Sequence, residues 1–119
     1  MKYISEAIGT FLLVAVVVGS GIMGENLSFD NKAVALLGNT IATASILYVI
    51  IKMFGVISGA HFNPVVSLVF YLRDEINLKD FLIYCLIQVL FGVFAVFTIH
   101  YIFEINIFQI SSNIRGEIP

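Results

Sequence analysis

Long uncharged stretches alternate with short polar clusters along this chain, and the lengths of the stretches predict its elements. Residues 7–24, 33–51, 53–72 and 81–103 carry no formal charge, in runs of 18, 19, 20 and 23 residues. A helix rising about 1.5 Å per residue needs roughly 20 residues to cross a bilayer's hydrocarbon. The first, second and fourth runs therefore predict spanning helices over about 3–24, 33–54 and 79–103. The clusters ENLSFDNK (25–32) and RDEINLKD (73–80) predict polar loops, and the mixed tail over 104–119 predicts a connection. Lys2 ahead of the first run suggests a signal peptide. Glu6 interrupts the head of that run, however, and no A-x-A-like cleavage site follows, which favours a retained helix.

The third run breaks the pattern. It contains ISGAHFNPVVSLVFYL, residues 57–72, with Gly59, His61, Asn63 and Pro64 at a depth where polar backbone is hardest to satisfy. Gly55, Ser58 and Gly59 disfavour a continuous helix, and the residue before Pro64 is pushed out of helical geometry. After Pro64, PVVSLVFYL makes a short helix about half a bilayer long, with Asn63 as its N-cap and Pro64 as its first residue. The pattern predicts a re-entrant segment over about 55–72: an irregular strand from Gly55 to Phe62, then a half-helix returning to the same side. Such backbone survives at depth only if protein or a wet cavity satisfies it, so the carbonyls of Gly59, Ala60, His61 and Phe62 are expected to line an aqueous path. The alternative is a kinked fourth span, which would put the tail on the other side of the membrane.

Composition narrows the class. The 119 residues are 60% hydrophobic and 12% charged, against about a quarter charged in a typical soluble domain. A soluble fold this small cannot hide so much apolar surface, so lipid is the expected solvent and the fold class is an all-α membrane protein. Net charge is −2, with no basic patch, so nucleic acid is not an expected partner. The single cysteine, Cys85, lies in an apolar stretch and has no bridging partner. Second and third ligands around His61 are missing, so no metal or other cofactor is expected. No nucleophile–base or carboxylate pair falls in one pocket, so no enzyme activity is expected.

SGAHFNPVVS resembles the first signature loop of the aquaporins and glycerol facilitators, the major intrinsic protein family, usually written with Asn-Pro-Ala. EAIGTFLLVAVVVGSG (6–21) is similar to that family's first helix, and YCLIQVLFG (84–92) to its third. The resemblance implies one repeat of a two-repeat fold, with three spanning helices and one half-helix over residues 1–103. It implies that Asn63 turns its amide toward a pore, beside the carbonyls of Gly59, Ala60 and His61. Glu6 would brace the loop's N–H groups, where a residue-level reading leaves it equally an interfacial carboxylate. His61 is expected to be structural, and Gln88 to bond the loop or a neighbouring helix. His100 is expected at an interface, and Gly38, Ala42 and Gly92 at close helix contacts. Without the resemblance, Asn63 could be a helix cap with no permeation role.

Three departures from the family pattern matter. Val65 replaces the usual alanine and adds bulk at the apex. Counting back from Asn63 puts Thr43 at the family's second-helix filter position, usually aromatic, which implies a wider constriction admitting glycerol-like or metalloid-like neutral solutes. The filter arginine follows the family's second signature; its counterpart after this signature is Val66, and only one repeat is present. A lone half-helix would face lipid with its apex, so an inverted second half is expected, either an antiparallel copy or a separately encoded half, with a higher homo-oligomer possible. Truncation or a split gene is the favoured origin, from the way the tail FQISSNIRGEIP stops short of a fourth helix. The alternative function is a non-conducting membrane subunit acting only through helix contacts. Lys2, Lys52, Arg73 and Lys79 against Lys32 and Arg115 predict a cytoplasmic N-terminus in a plasma or bacterial inner membrane.

Overall fold

The computed structural model describes residues 1–112, so the end of the predicted tail, with Arg115, lies outside the described residues. Four helices follow one another: α1 (Lys2–Leu27), α2 (Lys32–Ser58), α3 (Pro64–Leu72) and α4 (Leu78–Ile102). Helices α1, α2 and α4 are each long and apolar enough to cross a membrane. Among the described residues there is no strand.

Helix α1 is the central element, packed against both α2 and α4, while α3 lies on α4. The side chain of Asn39 on α2 ties the first pair together, donating to the Val17 carbonyl at 2.8 Å and to Ser20 Oγ at 3.0 Å. At the other end, Lys2 and Tyr3 on α1 both reach the Asp80 carboxylate in the first turn of α4. That contact decides between the two readings of the third run. The end of α2 and the start of α4 both meet the N-terminal part of α1, through Ser58–Glu6 and Asp80–Lys2. The chain between them therefore enters and leaves at one end of the bundle. It is a re-entrant half-helix and not a fourth span.

Two predicted boundaries and one set of predicted contacts need correction. Helix α2 runs on through Gly55 to Ser58, so the irregular segment is only Gly59 to Asn63. A helical glycine costs only about 1 kcal/mol relative to alanine. Here Gly59 (φ +88°) supplies the left-handed cap that ends the helix, its N–H bonding the Gly55 carbonyl at 3.0 Å. Helix α1 extends to Leu27, because Glu25 and Leu27 are good helix formers and a charge marks a polar face as readily as an end. Finally, Gly38 meets nothing within 4 Å where a side chain would project, and Gly92 makes only ordinary contact with Val14. The close helix approach is instead at Gly24, against the backbone of Ala35.

The interior inverts that of a soluble domain. The buried apolar residues described are Ala7, Ile50, Phe62, Tyr84 and Ala95, whereas Ser5, Glu6, Thr10, Ser58, His61, Ser67, Gln88 and His100 are buried polar ones. Large apolar side chains such as Leu36, Ile41, Leu86 and Phe94 point outward. Lipid solvates these at no cost, so the groups that gain from burial are those needing hydrogen bonds.

Candidate functional site

The apex of the re-entrant loop is built on Asn63. Its backbone is extended, and its side-chain oxygen accepts from the Val65 N–H at 2.7 Å, with Pro64 as the first helical residue. Asn63 is exposed, and with the oxygen engaged its NH₂ group has no partner among the described residues.

Glu6, fully buried on α1, fixes the segment before the apex. One carboxylate oxygen accepts from the Ser58 hydroxyl at 2.7 Å and the His61 N–H at 3.0 Å. The other accepts from the Phe62 N–H at 2.7 Å and the Gln88 amide at 2.9 Å. All four partners are donors, which offsets the cost of placing a carboxylate inside a membrane bundle. The His61 ring, also buried, lies on Phe70 with centroids 4.3 Å apart and within 2.9 Å of Ser67 Oγ through Nδ1. Gln88 also donates to Ser67 at 3.1 Å, and its own oxygen is buried without a partner among the described residues. Tyr84 donates to the Ser58 carbonyl at 2.8 Å.

This network sorts the loop's backbone by polarity. Four successive N–H groups are consumed internally: Gly59 on the Gly55 carbonyl, Ala60 on Ser58 Oγ, His61 and Phe62 on Glu6. No donor among the described residues bonds the carbonyls of Gly59, Ala60, His61 or Phe62. Backbone acceptors inside a membrane are rarely left idle, so this row is available to something that donates.

Of the other expected site residues, Val65 is 67% exposed beside Asn63, and Val66 is half-buried one position further along α3. Thr43 sits about four helical turns before the end of α2 and joins none of these contacts; its hydroxyl is buried without a partner among the described residues. His100, in the last turn of α4, is buried and bonds the Ile107 carbonyl through Nδ1 at 2.9 Å. Sequence reasoning missed Ser67 and Tyr84. Their signal was spacing, since Ser67 falls one turn after Asn63 and Tyr84 one turn before Gln88.

Residues 1–115 match the family described as Major intrinsic protein. The chain belongs to that family. Among its relatives is the Aquaglyceroporin AqpS of Rhizobium meliloti (strain 1021), 45% identical over 114 residues, or 96% of this chain and 48% of the relative. The Aquaporin NIP2-2 of Zea mays is 47% identical over 70 residues, covering 58% of this chain and 22% of the relative. A Probable aquaporin TIP5-1 of Oryza sativa subsp. japonica is 31% identical over 102 residues, 84% of this chain and 38% of the relative. The chain thus spans less than half the length of each of these relatives. Family membership and three apolar spanning helices make it an integral membrane protein.

Proposed function

We propose that the chain forms one half of a passive, non-enzymatic channel for water or small neutral solutes of the glycerol-like or metalloid-like kind, completed by an inverted second half. The observation that carries this reading is the one-sided backbone of the loop, with its N–H groups tied inward and four consecutive carbonyls without a donor among the described residues. A hydroxyl-bearing solute donates to those carbonyls in turn, then accepts from the free amide of Asn63. The N-terminus of α3 adds a partial positive charge at the same point, which repels a cation that has already shed water. Gly59, Ala60, His61, Phe62, Asn63, Val65 and Val66 line the path in this reading, with Thr43 at its constriction. Glu6, Pro64 and Gln88 are supports.

The need for a second half follows from exposure. Val56 at the end of α2 is 96% exposed, Val65 beside the apex 67% and Leu72 at the far end of α3 69%, so this face lies open along the whole re-entrant segment, whose apex carries polar groups that lipid cannot satisfy. An antiparallel second copy or a separately encoded half could cover this face, and a higher oligomer of complete pores could form around it. Relatives named as an aquaglyceroporin and as aquaporins support both solute classes.

The test replaces the matched stretch of the rhizobial aquaglyceroporin with this chain and follows vesicle shrinkage and glycerol re-entry by light scattering. Flux above empty vesicles is expected, and Asn63→Asp should remove it while retaining the helix cap. A folded, inserted chimera no more permeable than empty vesicles would instead favour a non-conducting subunit. Vesicles holding this chain alone distinguish self-pairing from a separate partner.

A further inference from the structure

A row of carbonyls can select a solute only if the backbone carrying it is held in place, and this loop is held against its own preference. Gly59, Ala60 and Phe62 all have left-handed backbone, with φ of +88°, +54° and +54°. For Ala60 and Phe62 that conformation is uphill and persists only where the surroundings impose it. At Phe62 the Glu6 carboxylate fixes the N–H, and the ring is 3% exposed, edge-on to Phe54 with centroids 6.2 Å apart.

The ring's seat is Gly9. A Cβ at that position would overlap Cδ1, Cε1 and Cζ of Phe62. Flipping the ring exchanges these atoms for their equivalents and opens no room, and the Phe54 side is already occupied. Any side chain at position 9 therefore displaces the Phe62 ring. No other glycine on the helices does this: a Cβ at Gly38 or Gly55 meets nothing, and one at Gly24 meets only the neighbouring helix.

We infer that Gly9 is a positioning residue for the permeation path: its missing side chain seats Phe62, and the seated ring sets where the Ala60 and His61 carbonyls stand. This rests on the channel reading above for its consequence in selectivity, though the coupling of Gly9 to the loop does not.

Two measurements on the full chain test it. In the conducting assembly, Gly9→Ala should change the ratio of water to glycerol permeability by about threefold or more, and adding Phe62→Leu should return it toward wild type. Loss of folded protein lowers both permeabilities together and leaves the ratio alone. In a Cys85→Ser background, Ala60→Cys labelled by a water-soluble methanethiosulfonate should show a similar change in rate with Gly9→Ala, again reversed by Phe62→Leu. An unchanged ratio and rate, or a change the second substitution fails to reverse, overturns the inference. If wild type conducts neither solute, the channel reading fails and the labelling still decides the role of Gly9. If Gly9→Ala does not fold, recovery of folding by Phe62→Leu supports the coupling, and its absence refutes it.

Discussion

Glu6 is where a single atom matters most. Both of its oxygens accept two hydrogen bonds, so Glu6→Gln turns one acceptor into an NH₂ group that must face donors, either His61 N–H and Ser58 or Phe62 N–H and Gln88. Hydrogen bonds to a charged group contribute roughly 1.5–3 kcal/mol each, and a buried donor left facing a donor loses its full share. The expected cost is on the order of 3 kcal/mol, measurable as a lowered midpoint in detergent-driven unfolding, and a cost under about 1 kcal/mol would mean that the loop holds itself. Asn63 behaves differently. Its side-chain oxygen is used by the helix and its nitrogen has no partner among the described residues, so Asn63→Asp separates structure from permeation in a way that Asn63→Ala, which also removes the cap, does not.

At the scale of elements, α3 was fully legible in the sequence. Asn63 and Pro64 make a start signal that depends only on neighbouring residues, and the helix runs from Pro64 to Leu72 as the pattern predicted. The end of α2 was not legible, because Gly55 and Ser58 read as breakers whereas the cap at Gly59 and the Ser58–Glu6 bond carry the helix past them. The exit from α4 has a similar tertiary clamp. His100 holds the Ile107 carbonyl, the Phe97 and Phe108 rings meet edge-on at 5.5 Å, and Asn106 caps Phe108. His100→Ala should release this turn, speeding amide exchange at Phe108 and Gln109 by roughly tenfold, the effect of losing one hydrogen bond. Unchanged exchange would show that the aromatic pair alone suffices.

At the scale of the molecule, orientation and completeness dominate. By the sequence pattern, Lys2, Lys52, Arg73 and Lys79 fall on one side of the predicted membrane and Lys32 and Arg115 on the other, and we propose that this bias holds the N-terminus in the cytoplasm. Replacing Lys52 and Arg73 with glutamine leaves two cations on each side and should yield a mixed population. Labelling a single cysteine in the 28–31 loop from either face of sealed vesicles reads this out, and retention of one orientation would assign it to the partner half or to packing. The bundle itself is thinly buried, with α1 between two neighbours and the outer faces of α2 and α4 open. A fold of this kind gains its specificity from polar contacts inside, since lipid does not drive apolar helices together.

The amino-acid sequence by itself determined the solvent, the spans and the break at Asn63, because uncharged run length and local capping chemistry act over a few neighbouring residues. Only the tertiary structure decided that the loop's donors turn inward and its acceptors do not. Glu6 lies more than fifty positions from His61, Phe62 and Gln88, and Gly9 equally far from Phe62. No local pattern carries a hydrogen bond or a steric notch across that separation; it appears only when α1 is packed against α4 and the loop.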